Sequence, residues 1–294
     1  LMTLSVRNGY PYALTLELAG VAAAFFVRLF IIFHDCVHGA FSDSPRWTRN
    51  IGYLCGILTL TAFGDWRRSH VGHHIRAGDL DRRGMGDVWL MTVDEYRAAP
   101  LLTRLAYCIY RHPFILFVIG PGVYFLLINR WPSKGANRRD RLSVLYTNLA
   151  IAAIIIIASL TIGIETYLLV QLPVVLIAGA AGIWLFYVQH QFQGVYWART
   201  EDWDPRRVAM EGASFYRLPK LLQWATGNIG FHHLHHVRPA IPNYNLPACH
   251  EAIPALQAIT PMRLRDSLHC ARLNLYDEQR HEMVSFGQIG GHPA

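Results

Sequence analysis

Nine of the chain's 15 histidines fall in three short clusters. His34 and His38 lie in "HDCVH", His70, His73 and His74 in "HVGHH", and His232, His233, His235 and His236 in "HHLHH". The first spacing is i, i+4. The second, and the third when read through His232, His235 and His236, is i, i+3, i+4. On a helix such positions share one face, with neighbouring Cβ atoms about 5–6 Å apart. A further histidine, His190, ends a long apolar run. Neutral imidazole is a ligand for zinc, copper, iron or nickel. Zinc is satisfied by four ligands, or by three and a water. Eight or nine converging histidines therefore exceed what one ion can use, and they fit two ions with each helical cluster dividing its ligands between them. Two first-row metals on neutral ligands, with open positions, suit activation of dioxygen. Iron fits best because it cycles between oxidation states. His233 is turned about 100° from its neighbours on a helix and is expected to stand behind the ligands. His112, His250, His269, His281 and His292 are isolated and are expected to play ordinary structural roles.

The elements that must position these clusters are membrane helices. Of 294 residues, 52% are hydrophobic and 16% charged, against about 25% charged in an ordinary soluble domain. Val144 to Ile164 is 21 residues without a charge and Thr166 to Gln189 is 24, each enough to cross a bilayer, which takes about 20. Residues 12–33 form a third candidate span, with Arg28 snorkelling to an interface. Residues 51–63 are apolar but too short to cross and read as re-entrant or interfacial. Residues 113–129 are marginal, with Gly-Pro-Gly at 120–122 expected to turn the chain back. The loop 129–141 holds five basic residues and one acid, which places it in the cytoplasm. If 113–129 dips and returns, every histidine cluster faces that compartment, and His190, closing the hairpin of the last two spans, faces it too.

The net charge of +7 is explained by basic loops at membrane edges, and no nucleic-acid-binding motif accompanies it. Lys134 and Lys220 are the only lysines, and arginine carries the rest. Five scattered cysteines, never in a C-x-x-C pair, read as reduced thiols without a disulfide framework. The chain opens on Leu1 without the charged start of a signal peptide.

With the three clusters and the lone His190 in hand, the sequence resembles the membrane fatty acid desaturases. The stretches "FIIFHDCVHGAF", "GDLDRRGMGDVWLMTVDEY", "FYVQHQFQGVYW" and "NIGFHHLHHVRPAIPNYNL" are similar to the bacterial and cyanobacterial acyl-lipid branch, over about Val27 to Leu246. The resemblance implies an all-α fold: an integral membrane helical bundle with a cytoplasmic helical cap, residues 34–112 and 190–294, carrying a histidine-rich di-iron site. It implies one desaturase domain over 1–294, shortened at its start, because only the second helix of the family's N-terminal hairpin is complete here. It implies His34, His38, His70, His73, His74, His190, His232, His235 and His236 as ligands to two non-haem irons. Asn228, placed one helical turn before His232, would join them through a water. Val37 stands where the branch usually has glycine.

The implied reaction removes two hydrogens from adjacent CH₂ groups of a fatty acyl chain, expected to be lipid-linked, with dioxygen reduced to water. Two electrons come from an external carrier of ferredoxin or cytochrome b5 type, since the chain holds no haem module. The expected location is a bacterial inner membrane with the site on its cytoplasmic face. Arg67, Arg68, Arg82, Arg83, Arg138 and Arg139 are candidates to dock an acidic donor or lipid headgroups. Asp35, Asp79, Asp81 and Asp87 are candidates to hold ligand imidazoles by hydrogen bonds, and Trp66 and Trp89 to wall the acyl tunnel. The nearest rival is a hydroxylase or ketolase of lipids, alkanes or carotenoids on the same scaffold. A metal transporter is disfavoured, because transport paths place ionisable groups near the bilayer midplane and the last two spans have only Glu165 between them.

Overall fold

The computed structural model describes residues 1–289; His292 lies outside the described residues. Helix dominates, and the strands are only two or three residues long. The helices that matter for the histidines are α1 (Tyr12–His38), α2 (Pro45–Leu58), α3 (Phe63–Arg76), α4 (Leu101–Arg111), α5 (Ile115–Arg130), α6 (Arg138–Thr161) and α7 (Ile164–His190). Among the described residues α1, α6 and α7 are long and apolar enough to cross a membrane, and α4 with α5 forms a further candidate bent by 63°.

Helix ends are set by local chemistry. α1 has 27 residues and, at 1.5 Å per residue, is about 40 Å long against a hydrocarbon core of about 30 Å. It is longer than the apolar slab by about 10 Å, and "HDCVH" occupies its last turns. Gly39, at φ +73°, ends the helix. Its N–H bonds the Cys36 carbonyl, and the Ala40 N–H bonds that of Asp35, a closure that favours glycine at the left-handed position. The N-terminus of α6 is held by a capping box: Asn137 Oδ1 accepts from the Arg139 and Asp140 N–H groups while Asp140 Oδ2 accepts from the Asn137 N–H. α2 starts after Ser44, whose hydroxyl accepts the Trp47 N–H.

Gly120–Gly122 does not reverse the chain. Its backbone is helical, and π-helical segments at Ile115–Ile119 and Val123–Leu127 flank it. Pro121 has no N–H to give, and the wider π turns accommodate that loss without breaking the helix. The sharp bend falls instead at residues 112–114, between α4 and α5.

The chain divides into two compact units. The first comprises Leu1–Arg68, Phe117–Ile183 and Ala225–Gly227. Its core includes Phe33, Cys36, Val37, Cys55 and Phe63, with Phe30 and Trp66 packed against them. Val37 is thus a core residue, and its branched side chain fills that packing. Gly56 lets α2 approach α1, since a Cβ there would lie 3.0 Å from the Phe33 ring and 2.5 Å from the Thr61 carbonyl.

The second unit comprises Ser69–Leu116, Trp184–Trp224 and the chain from Asn228. It includes β1 (Tyr216–Arg217), α8 (Lys220–Ala225, except its last residue), α9 (His232–Val237), β2 (Met262–Arg263), α10 (Leu264–Cys270), β3 (Leu275–Asp277) and β4 (Glu282–Val284). β1 pairs parallel with β2, and β3 antiparallel with β4. Arg111, at the end of α4, is fully buried. Its guanidinium donates to the Tyr187 hydroxyl, Gln191 Oε1 and the carbonyls of Trp89 and Leu273. One side chain thereby ties α4, the end of α7 and the segment before β3. The five cysteines are free thiols.

Candidate metal centre

The histidines of the second unit converge because three elements end or turn at one place. α3 contributes His70, His73 and His74, the short α9 contributes His232, His235 and His236, and His190 is the last residue of α7. His74 Nε2 lies 3.1 Å from His70 Nε2 and 3.1 Å from His235 Nε2. His190 Nε2 lies 3.1 Å from His73 Nε2 and 2.9 Å from His232 Nε2, and His236 Nε2 is 3.1 Å from His232 Nε2. The seven imidazoles form two sets. α3 gives its i, i+4 pair, His70 and His74, to one set and His73 to the other. α9 does the converse, with His235 in the first set and the pair His232 and His236 in the second.

Tautomers show what these nitrogens can do. His73 Nδ1 is 2.5 Å from Asp87 Oδ1, and an ionised carboxylate only accepts. His190 Nδ1 is 3.3 Å from the Gly212 carbonyl, also only an acceptor. Both protons therefore sit on Nδ1, and the Nε2 atoms present lone pairs to each other across 3.1 Å. Two facing lone pairs repel unless a cation lies between them. Burial, reinforced by the flanking imidazoles of His74 and His232, holds His236 well below the usual histidine range, so it too is a neutral donor. The Nε2 atoms, 2.9–3.1 Å from their neighbours, lie close enough to share an ion, and neutral imidazoles suit a first-row transition metal.

Of the four candidate acids, Asp87 holds the His73 imidazole. Its second oxygen accepts the Gly84 N–H at 2.8 Å. The loop can lie this close to α3 because position 86 is glycine at φ +76°: a Cβ there would sit 3.1 Å from the Ser69 carbonyl and 3.4 Å from His73 Cβ. Asp79 and Asp81 instead lock this loop to Arg199 and Thr200. Asp79 accepts from Arg82 and the Thr200 hydroxyl, and Asp81 from Arg199 and the Thr200 N–H. In the first unit Asp35 Oδ1 is 3.9 Å from His34 Nδ1, and the His34 and His38 rings are 4.8 Å apart between centroids. Trp66 packs against Phe30, Phe33 and His34, whereas Trp89 lies against Tyr107 and Tyr110. Arg68, Arg82 and Arg83 are engaged with Asp140, Asp79 and Glu95; Arg67, Arg138 and Arg139 are exposed.

Two residues differ from their sequence expectation. Asn228 does not precede His232 on a helix. It sits in a left-handed turn at φ +58° ahead of α9, with its amide donating to the Asn243 carbonyl and accepting from Gln223. His250 is not isolated: its Nδ1 is 3.2 Å from His233 Nε2. Phe215 and Phe231 pack on this pair, and burial, with the like charge of His250, pushes His233 down to about 4. The Gly212 carbonyl that orients His190 left no trace in the sequence, because backbone groups carry no residue signature.

The sequence pattern named Fatty acid desaturase matches residues 11–264. The chain belongs to that family. It is 48% identical over 278 residues to a fatty acid desaturase of Bacillus subtilis, covering 95% of this chain and 79% of that protein. It is 25% identical over 241 residues to the sn-1 oleoyl-lipid 12-desaturase of Synechocystis, covering 76% and 64%. It is 27% identical over 253 residues to the sn-2 acyl-lipid omega-3 desaturase (ferredoxin) of Arabidopsis thaliana, covering 77% and 52%. This desaturase is an enzyme of the membrane, predominantly helical, and its clustered histidines are grouped as a metal ion would need.

Proposed function

We propose that this desaturase inserts a C=C bond into a lipid-linked fatty acyl chain, using dioxygen and two electrons from a separate carrier, at a pair of iron ions. The supporting observation is the division of seven imidazoles into two sets, each Nε2 within 2.9–3.1 Å of a neighbour's. We assign His70, His74 and His235 to one iron and His73, His190, His232 and His236 to the other. His34 and His38 complete the ligand list on their i, i+4 spacing and the family resemblance. Asn228 remains the candidate to join them through a water, since one bond at each end of its amide leaves a further lone pair and N–H.

The irons, when bound, supply the redox chemistry that couples dioxygen reduction to loss of two hydrogens from the acyl chain. The protein's own groups hold and shield that chemistry. Asp87 and the Gly212 carbonyl keep the protons of His73 and His190 on Nδ1 and fix both rings, as ligand imidazoles require. Burial of His70, His73, His190, His232 and His235 keeps bulk water from the site. A small cavity reaches His73 and His190, lined in part by Phe186, Gln191 and Trp197, and admits a molecule the size of water. Bond position then follows from which carbons are held beside the metals. The printed names of the Synechocystis and Arabidopsis relatives, with "oleoyl-lipid", "acyl-lipid" and "ferredoxin", support the lipid-linked substrate and the carrier. We place the site on the cytoplasmic face of a bacterial inner membrane, on the basic loop 129–141 and the positive-inside rule.

The test is fatty-acid methyl ester analysis of a bacterial host expressing the chain together with a reducing partner, against a His73→Ala control. A new unsaturated acid absent from the control is the expected result. Hydroxylated or keto products would replace desaturation with oxygenation, and no new product from iron-loaded, folded protein would refute the acyl substrate.

A further inference from the structure

The second unit carries an exposed surface that the metal chemistry does not use. β1 and β2 run parallel, with Arg217 opposite Arg263 in register. Because the strands are parallel, the chain leaves both at the same end, and each runs into a helix: α8 three residues after Arg217, α10 directly after Arg263. The Tyr216 hydroxyl hydrogen-bonds the Ser267 hydroxyl at 2.9 Å, which fixes α10 to β1. The outward side chains are of two kinds. Arg217, Lys220, Arg263 and Arg265 are exposed and basic. Leu221 and Leu268 are 76% and 65% exposed, and Trp224 and Leu264, on the same two helices, are exposed as well. The acid in the group, Asp266, accepts the Arg263 N–H.

Such a surface is costly in water and suited to one environment. Aliphatic tips and a tryptophan interleaved with arginine and lysine are the composition of a segment lying in a membrane interface, apolar groups reaching the acyl boundary and cations meeting phosphates. Geometry supports this placement. Tyr216 also touches the last span, its hydroxyl 3.5 Å from Trp184 Nε1 on α7, and Trp184 is six residues before His190, about 9 Å along the helix. The strand from which the patch grows is therefore attached to a membrane helix near its end, at the level where tryptophan concentrates.

We propose that the α8–α10 face seats on the anionic headgroup layer of the phospholipid bilayer, with Leu221, Trp224 and Leu268 dipping to the acyl boundary and Arg217, Lys220, Arg263 and Arg265 binding lipid phosphates. It anchors the histidine-bearing unit to the surface from which an acyl lipid arrives. The inference does not depend on which reaction the metals perform.

The whole chain is reconstituted in nanodiscs of phosphatidylcholine, with or without phosphatidylglycerol, containing lipid brominated near the glycerol end of its acyl chains. The emission of Trp224 is isolated by difference from Trp224→Phe. We expect bromolipid to quench it, about twofold more in phosphatidylglycerol discs, and we expect the variant R217Q/K220Q/R263Q/R265Q to lose that enhancement. Leu268→Trp in the Trp224→Phe background provides a second reporter, which should behave alike. Equal quenching in both lipids would overturn the anionic recognition. Quenching by aqueous iodide and not by bromolipid would show a face turned to water. Protection from both would show a protein covering it, and each of these results overturns the proposal.

Discussion

Replacing Asp87 with asparagine tests the coordination argument at its most specific contact. The carboxylate receives the Nδ1 proton of His73 on one oxygen at 2.5 Å and the Gly84 N–H on the other at 2.8 Å. Asparagine can satisfy only one of these. If its oxygen stays on His73, its NH₂ faces the Gly84 N–H, donor against donor. If it flips, the NH₂ confronts Nδ1 and drives the His73 proton to Nε2, which abolishes the lone pair turned towards the metal. Even in the better case a charge-assisted bond of about 1.5–3 kcal/mol becomes a neutral one of about 0.5–1.5 kcal/mol. The difference, about 1–1.5 kcal/mol, is about tenfold in metal affinity, within the about 10–100-fold range for such supporting residues. The assay is transfer of iron from purified holoenzyme to a chromophoric chelator, with Asp81→Asn as control, since Asp81 bonds Arg199 and Thr200. Faster loss from Asp87→Asn than from Asp81→Asn is expected. Iron retention indistinguishable from wild type would refute the role given to Asp87.

Other outcomes follow from the same geometry. Gly86→Ala forces a side chain into a positive-φ position 3.1 Å from the Ser69 carbonyl. It should cost about 1–2 kcal/mol and release iron as Asp87→Asn does; unchanged iron binding would show that the loop need not lie so close to α3. The unfolded chain protonates His233 near pH 6.5 whereas the folded protein resists until about 4. The folded pKa is depressed, so its contribution, about 3 kcal/mol, is present above pH 6.5 and lost as pH falls towards 4. In metal-free protein, His233→Gln should flatten the fall of melting temperature over that interval, and an unchanged slope would contradict this. Arg111→Met leaves Gln191 Oε1 and the Trp89 carbonyl without the guanidinium that donates to them. It should destabilise the second unit by about 3 kcal/mol, read as a lower melting temperature; wild-type stability would refute the tie.

How far the sequence could be read depends on whether the signal is periodic. The i, i+3, i+4 histidines were legible because helix geometry alone puts them on one face, and the inference that each cluster serves two ions followed from counting donors. The apolar runs announced α1, α6 and α7 for the same reason. What escaped depends on chain reversals and tertiary contacts. Nothing local distinguishes Asp87 from Asp79 or Asp81 in "GDLDRRGMGD"; only the path through Gly84 and Gly86 decides which carboxylate meets His73. His250 finds His233 from 17 positions further along the chain. Gly120–Gly122 suggests a turn by composition, yet the neighbouring residues hold it in a continuous helical path by widening to π turns. Asn228 keeps a helical distance from His232 in sequence but lies in a turn outside α9.

The central claim is that these histidines hold two irons, each drawing ligands from both α3 and α9. The most direct measurement is the metal content of the purified, iron-reconstituted protein, by inductively coupled plasma mass spectrometry with Mössbauer spectroscopy. The account predicts two irons per chain in nitrogen-rich sites, and loss of both when His73 and His74 are replaced together. One ion per chain, or stable tetrahedral zinc under the same conditions, would contradict it.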